Sequence, residues 1–173
     1  MRIILLTCLL LFSVNTTSRN GFNESIVLER VDIEEDVNII DKSEIECLAA
    51  NIYFESVGEP LEGQLAVANV TINRVNHYNF PDTICGVVKQ KNKKACQFSW
   101  YCQRHKRNLF DNKKISDRYY IKVYKLAESF LIDYDKYHDN TNGSLFYHAT
   151  RIKPAWSLSM SKATEIDNHV FYY

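Results

Sequence analysis

The sequence predicts an α+β fold, in which a helical body carries a small antiparallel sheet built from the second half of the chain. Apolar residues recur every three or four positions in 43–55, 61–75 and about 116–135, the pattern of one buried helix face. Two runs rich in aromatic residues, Leu145–Ala149 and His169–Tyr172, have the composition of strands. The chain has 173 residues, which is enough for one domain with a hydrophobic core.

The first predicted helix begins at Ser43, which forms a capping box with Glu46, and ends before Gly58. On the helical wheel Glu55 falls about 20° from Leu48, at the edge of the apolar stripe. Desolvation and the negative end of the helix dipole would both raise the pKa of its carboxyl group. A carboxylic acid with a raised pKa can donate a proton near neutral pH, so Glu55 is a candidate catalytic acid. The alternative is a surface helix terminus without a catalytic role.

The second helix is predicted to start with Pro60 at its first helical position and Glu59 as its cap. Glu59 and Glu62 would then lie near the helix N-terminus, where acidic side chains are favourable for structural reasons. The next short helix is predicted from a cap at Asp82 through Val88. The apolar stripe of the second helix consists of Leu61, Leu65, Ala68, Ile72 and Val75.

Residues 89–114 are predicted to be loop-like, apart from a short strand at 97–100. The stretch 89–118 carries ten Lys or Arg residues against two Asp. A basic surface of this kind suits a polyanionic partner such as nucleic acid, anionic lipid or a bacterial wall polymer. A solvated, lysine-rich loop is the alternative.

Residues 154–163 are predicted to be irregular or briefly helical.

Residues 1–18 have the features of an export signal, with Arg2 before an apolar run from Ile3 to Val14. That run of about 12 residues is too short to span a bilayer comfortably. An uncleaved signal-anchor and a lipoprotein signal ending at Cys8 are the alternatives. We expect an acidic linker at 19–42, a catalytic domain at 43–173, and a location in the periplasm, the cell wall or outside the cell.

Four cysteines would remain after signal removal: Cys47, Cys85, Cys96 and Cys102. In an exported chain they permit two disulfides in any of three pairings, and the sequence does not choose among them. A cysteine–histidine nucleophile, for example Cys85 with His148, is the alternative use. The sequence contains neither an H-E-x-x-H motif nor a zinc-knuckle spacing, so we expect no metal and no cofactor.

Several motifs, in the same order along the chain, resemble the SleB-type cell wall hydrolase family. They are Tyr53-Phe54-Glu55-Ser56-Val57-Gly58-Glu59-Pro60, Asn73-Arg74-Val75, Phe80-Pro81-Asp82-Thr83, Cys96-Gln97-Phe98-Ser99, Phe146-Tyr147-His148-Ala149 and Asn168-His169-Val170-Phe171-Tyr172. The resemblance spans about Glu44 to Tyr173. It implies a lysozyme-like fold, cleavage of peptidoglycan glycan strands, and a catalytic acid at Glu55. One position departs from the family pattern, because Val57 stands where an arginine commonly precedes the glycine.

The reaction that the resemblance implies, lytic transglycosylation, needs only one carboxyl group. Glu55 would protonate the glycosidic oxygen between N-acetylmuramic acid and N-acetylglucosamine. The muramic acid's own C6 hydroxyl would then attack C1 and leave a 1,6-anhydro end, without a second acid to activate water. Plain hydrolysis is the alternative, with Glu59 as the second acid. We expect the substrate to contact Asn73, Gln97, Ser99, His148 and Tyr172.

We expect a monomer whose partner is the glycan strand, without nucleic acid and without a stable membrane span after signal removal. An inactive wall-binding module, holding glycan through lysines and through aromatic residues such as Trp100 and Trp156, is the main alternative from another class. A nucleic-acid binder is a further alternative, against which the export signal argues. Spore germination, wall remodelling and phage lysis all use this chemistry, so the biological role stays open.

Overall fold

The computed structural model describes residues 40–93 and 95–173, which contain six α-helices and a three-stranded antiparallel sheet. The predicted α+β class is therefore confirmed. The predicted export signal at 1–18, and the acidic linker up to residue 39, lie outside the described residues.

The helical body comes first in the chain and the sheet last. The helices are α1 (Lys42–Glu55), α2 (Leu61–Val75), α3 (Ile84–Lys89), α4 (Ser99–Cys102), α5 (Arg104–Asp111) and α6 (Arg118–Ile132). Two short 3-10 helices lie at Tyr134–Lys136 and Ala155–Ser159. The strands are β1 (Phe146–Ala149), β2 (Lys162–Ile166) and β3 (His169–Tyr172).

Helix α1 lies in the centre of the hydrophobic core and packs against α2, α3 and α6. Its small residues Ala49 and Ala50 are fully buried, which lets neighbouring helices approach closely. A buried polar group joins the helix to its surroundings, because Asn51 donates to Thr71 Oγ1 at 3.1 Å and accepts from Trp100 Nε1 at 3.0 Å. Both ends of the Asn51 amide are thus satisfied, as a buried amide requires. The C-terminal residue of α1, Glu55, is held in a fixed position by this packing.

The sheet has the order β1-β3-β2, with both neighbouring pairs antiparallel. In the pairing of β1 with β3, Phe146 lies opposite Tyr172 and Ala149 lies opposite His169. The sheet packs onto α2 through a small apolar cluster in which Phe171 contacts Ala66 and Val70. This cluster places the side chains of β1 next to the end of α1.

Two disulfides join the described cysteines, Cys47 with Cys85 and Cys96 with Cys102. The first ties α1 to α3, and the second joins Cys96, before α4, to Cys102, the last residue of that helix. This pairing is one of the three that the sequence left open. A Cys85–His148 nucleophile is wrong, because Cys85 is bonded to Cys47.

Three predicted helix caps are wrong. Helix α1 starts at Lys42, and Asp41 caps it by accepting from Ser43 N at 2.8 Å, so Ser43 and Glu46 form no capping box. The cap of α3 is Thr83 rather than Asp82. Pro60 precedes α2 instead of occupying its first turn, and Glu59 does not cap that helix. The predicted apolar stripe of α2 is also incomplete, since α2 is buried on most of its sides while Leu61 remains exposed.

The predictions for residues 89–114 and 154–163 are partly wrong. The predicted strand at 97–100 is absent: residues 99–102 form α4 and residues 104–111 form α5. Burial of Trp100 against Asn51, with the disulfide closing on Cys102, favours the helical turn over an extended segment. Strand β2 was not predicted. The helix at 116–135 and the strands at 145–149 and 169–172 are confirmed to within a few residues.

Among the described residues, no helix is both long and apolar enough to cross a membrane.

We expect loss of the Cys47–Cys85 disulfide to destabilise the fold more than loss of Cys96–Cys102. The first links residues 38 apart and the second links residues 6 apart. Restricting these loops in the unfolded chain is worth about 4 kcal/mol for the long one and about 2 kcal/mol for the short one. Guanidinium unfolding of the two double Cys→Ala variants measures the difference. Equal losses, or a larger loss for the short loop, would contradict this ranking.

Candidate active site

Two neighbouring cavities meet at Glu55. The larger, about 540 Å³, is here called the Gln97 cavity because Gln97, Ser99 and Trp156 are among its lining residues. The smaller, about 470 Å³, is called the Glu59 cavity because Glu59 lines it. They share the lining residues Phe54, Glu55, Ala149, Arg151 and His169. Together they form one groove, with the Glu55 carboxyl group on its wall.

The carboxyl group of Glu55 is desolvated, and this burial raises its pKa. Three groups oppose the effect by favouring the charged form: the hydroxyl of Tyr147, Lys106 and Arg74. Tyr147 donates to Glu55 Oε2 at 3.2 Å from the neighbouring strand β1. The net shift is upward, which agrees with the raised pKa that the helical wheel predicts. The result is a carboxyl group that can hold a proton at higher pH than an ordinary glutamate.

Arg74 forms the floor of the Gln97 cavity and is only 3% exposed. Its Nε donates to the carbonyl of Leu145 at 2.7 Å, just before β1. Its guanidinium lies 4.9 Å from the ring centroid of Phe98, and the Gln97 amide oxygen, turned toward it, accepts at 3.0 Å from Nη2. Burial lowers the pKa of Arg74 to about 10, so the group remains charged at neutral pH.

A buried contact between a histidine and a glutamate lies in the Glu59 cavity. The Nδ1 of His169 is 3.1 Å from Glu59 Oε1, and the two side chains are 8% and 6% exposed. Gly63 makes room for this pair, because a Cβ at that position would overlap Glu59 Oε2. The ring of His169 also contacts Tyr147 edge to face at 5.0 Å. Glu59 is therefore held by a partner from β3 and does not serve as the cap of α2.

Three of the five predicted substrate-binding residues line the groove. Gln97, Ser99 and His148 all face the Gln97 cavity with Glu55. Gln97 also lies against Arg74, as described above. The His148 ring is buried and occupied on both nitrogens, because Nδ1 lies 3.0 Å from Ala149 O and Nε2 lies 2.9 Å from the Tyr172 hydroxyl.

The other two predicted residues lie elsewhere. The amide of Asn73 donates to Asp139 Oδ2 at 3.0 Å and to Ser144 O at 3.2 Å, so it anchors the 139–144 loop and does not line the groove. Tyr172 lies behind His148, with its ring stacked on the imidazole at 5.3 Å, and lines a separate cavity of about 360 Å³. The structure therefore places neither side chain on the groove, and each supports a neighbouring element.

The position where an arginine was expected holds Val57, which is 61% exposed and lines the Glu59 cavity. Among the residues lining that cavity, the one Lys or Arg side chain is Arg151, which follows β1. The cation of this part of the groove thus comes from the sheet end and not from the α1–α2 connection.

The sequence profile of the Cell Wall Hydrolase family matches residues 58–172 of the chain. The chain belongs to this family. The match begins just after Glu55, so the profile covers the groove residues contributed by α2, β1 and β3.

Known relatives agree with this membership. Over 47 residues the chain is 49% identical to the spore cortex-lytic enzyme of Oceanobacillus iheyensis, covering 27% of this chain and 17% of that protein. Over 46 residues it is 46% identical to the spore cortex-lytic enzyme of Bacillus subtilis, covering 27% and 15%. The matched segments therefore span less than a fifth of these relatives' own length.

Two solved structures share the fold of this Cell Wall Hydrolase family member. The catalytic domain of the Bacillus cereus SleB protein matches with a TM-score of 0.57 and 26% identity, over 79% of this chain and 94% of that one. The catalytic domain of the germination-specific lytic transglycosylase SleB from Bacillus anthracis matches with a TM-score of 0.58 and 25% identity, over 79% and 98%. The lysozyme-like fold that the resemblance implied is confirmed.

Sequence reasoning did not single out Arg74, Tyr147 or the Glu59–His169 pair. A signal for Arg74 was present, because it follows Val67 and Val70 on one face of α2 at helical spacing, and an arginine on an apolar face requires partners. Tyr147 gave no comparable signal, since an aromatic residue in a strand is ordinary.

We expect Glu55→Gln to increase the free energy of unfolding at pH 7 but not at pH 3. The folded state raises the pKa of Glu55, so its contribution to stability is present below the unfolded pKa and is lost as the pH rises through the folded pKa. A neutral amide avoids that loss. Chemical denaturation at a series of pH values from 3 to 7 should show that the free energy of unfolding of the variant, relative to that of the wild type, increases with pH.

Glu62→Gln is the matched control, because Glu62 is an exposed acid in the first turn of α2. It should show no such gain as the pH rises. A Glu55→Gln advantage that stays constant or shrinks between pH 3 and pH 7 would contradict the assignment of a raised pKa.

Proposed function

We propose that this Cell Wall Hydrolase family member cleaves the β-1,4 bond between N-acetylmuramic acid and N-acetylglucosamine, as a lytic transglycosylase with Glu55 as its acid. The observation that carries the proposal is the desolvated Glu55 carboxyl group, with its raised pKa, on the wall of an open groove. A group of this kind can protonate the glycosidic oxygen and, once ionised, accept the proton of the C6 hydroxyl.

The groove has the lining that a sugar chain needs. Phe54, Phe146 and Trp156 line the Gln97 cavity, and Trp156 is 40% exposed. Aromatic faces suit the apolar faces of pyranose rings, while Gln97 and Ser99 offer polar groups to hydroxyl and acetamido substituents. An extended glycan strand could thus lie across Glu55 with sugar rings on both sides of it.

Transglycosylation is preferred over hydrolysis because of the state of Glu59. A second acid that positions water needs a carboxylate oxygen free to accept from that water. Glu59 lines the groove with Glu55, but its carboxylate is paired with His169 and almost fully buried. The C6 hydroxyl of muramic acid is already attached to the reacting sugar, so its attack needs no water-positioning acid.

The relatives support the same direction. Those matched in sequence are spore cortex-lytic enzymes, and one matched structure is the catalytic domain of a germination-specific lytic transglycosylase. The proposed substrate lies outside the cytoplasm, in line with the export signal that residues 1–18 predict. We propose that the protein acts there as a monomer, on glycan strands of the cell wall or spore cortex.

We expect purified peptidoglycan treated with the protein to release products with 1,6-anhydromuramic ends, as measured by mass spectrometry. Glu55→Gln should lower turnover by about 10³-fold, because the acid is lost while the groove keeps its shape. Glu59→Gln should still yield 1,6-anhydro ends, and Glu62→Gln is the exposed control that should retain full turnover.

Reducing muramic ends from the wild type would rule out the transglycosylase mechanism and favour hydrolysis. Binding of glycan without any cleavage by the wild type would instead favour an inactive wall-binding module.

We expect Tyr147→Phe to move the alkaline limb of the pH–activity profile to higher pH. The hydroxyl of Tyr147 donates to Glu55 and lowers its pKa, so removing the hydroxyl lets that pKa rise further. The profile of kcat/KM reports the ionisation of the free enzyme. Tyr137→Phe is a suitable control, since its hydroxyl lies 3.1 Å from that of Ser129, two residues that do not line the groove. A limb that stays in place, or moves to lower pH, would contradict the role of the hydroxyl.

A further inference from the structure

Arg151 is a cation on the wall of the groove that has no partner among the described residues. It lines both the Gln97 cavity and the Glu59 cavity. Its backbone position is fixed by flanking hydrogen bonds, from Thr150 N to Asn168 O at 2.8 Å and from Ile152 N to Ala149 O at 3.0 Å. Its exposed side chain makes no hydrogen bond or ion pair with any of residues 40–93 and 95–173. A guanidinium held in this way can bind a ligand without first breaking a contact within the protein.

Lys106 is the second such cation. It extends from α5 into the Gln97 cavity, where its Nζ lies 5.6 Å from the ring centroid of Phe54. It too forms no hydrogen bond or ion pair within the described part of the chain. Contact with the aromatic face orients the ammonium group but leaves its three donors available.

Neither cation forms an ion pair with an acidic residue of the groove, although Lys106 favours the charged form of Glu55. The acidic residues that line the two cavities are Glu55 and Glu59. Glu59 is paired with His169, and the carboxyl of Glu55 is the group that the proposed reaction uses. Arg74, the remaining cation, is buried and directs Nε to a backbone carbonyl. The open surface of the groove is therefore positive, which suits an anionic substituent on the bound chain.

We propose that Lys106 and Arg151 form a subsite for a carboxylate carried on the lactyl arm of muramic acid, either the lactyl carboxylate itself or one in an attached peptide. This inference rests on the proposed function, because the lactyl arm is what distinguishes muramic acid from the other sugar of the strand. The guanidinium can take a carboxylate through two parallel N–H donors, and the ammonium can add a third from α5. The subsite would make the enzyme selective for acidic strands and sensitive to salt.

The test compares four glycan strands as substrates. Two strands carry attached peptides, and two are peptide-free with an exposed lactyl group. Each kind is used in two forms: one keeps its carboxylates, and in the other every carboxylate is converted to a neutral methylamide. The wild type should cleave one or both acidic strands with a kcat/KM about tenfold above that of the matching amide. The kind of strand that shows the difference identifies whether the lactyl or the peptide carboxylate is bound.

Lys106→Gln and Arg151→Gln should each reduce the preference, and the double variant should abolish it. Because Lys106 also lowers the pKa of Glu55, the measurement is the ratio of kcat/KM for the acidic strand to that for the matching neutral strand, and not the absolute rate. Lys153→Gln is the matched control, because Lys153 is an exposed cation two positions from Arg151 that lines the separate 360 Å³ cavity. Equal cleavage of acidic and neutral strands by the wild type would overturn the subsite while leaving the proposed function in place. So would a preference that survives in the double variant.

Calorimetric binding of the same four strands to Glu55→Gln separates the two proposals. A carboxylate preference in binding supports the subsite even if the wild type cleaves nothing, an outcome that would overturn the proposed function alone. Equal binding of all four strands would count against the subsite whatever the turnover.

Discussion

The groove depends on the burial of one cation, Arg74. Taking a guanidinium out of water costs several kcal/mol unless its donors and charge are matched. Here α2 supplies the side chain, Leu145 supplies a carbonyl at 2.7 Å, and Phe98 supplies an aromatic face at 4.9 Å. Leu145 lies just before β1 and Phe98 lies just before α4. Contacts that satisfy Arg74 therefore also fix these two segments relative to α2. Once β1 is held in this way, Tyr147 reaches Glu55 on α1.

The environment of Glu55 balances two opposing effects. Desolvation at the end of α1 favours the neutral acid, while Tyr147, Lys106 and Arg74 favour the carboxylate. A fully apolar site would keep the proton too tightly, and a strongly cationic one would never hold it. The proposed reaction needs both states in turn, because the same group first donates a proton and then accepts one. These mixed surroundings suit a group that must take both states.

Local sequence patterns predicted the elements whose own residues show a clear period or composition. Helices α1, α2 and α6 have helical periodicity, and β1 and β3 are rich in aromatic residues. Strand β2 has the sequence Lys-Ala-Thr-Glu-Ile, with little apolar character, and is a strand because it pairs with β3 at the sheet edge. Residues 97–100 resemble a strand in composition, yet Trp100 must reach Asn51 while Cys102 closes on Cys96. In the first case pairing across a tight turn makes the strand, and in the second a contact with a residue 49 positions away overrides the local preference.

The same distinction explains which parts of the site could be found from sequence. Glu55 stood out because an acid at the edge of an apolar stripe breaks the local pattern, and Arg74 breaks it in the same way on α2. The residues that contact the acids of the groove gave no signal in the sequence. Tyr147 is 92 residues from Glu55, and His169 is 110 residues from Glu59. A buried ionisable group must be satisfied by something, but helical periodicity reports only its own element. A break in the pattern can therefore locate a site, whereas the residues that tune its chemistry are known only once the fold brings them together.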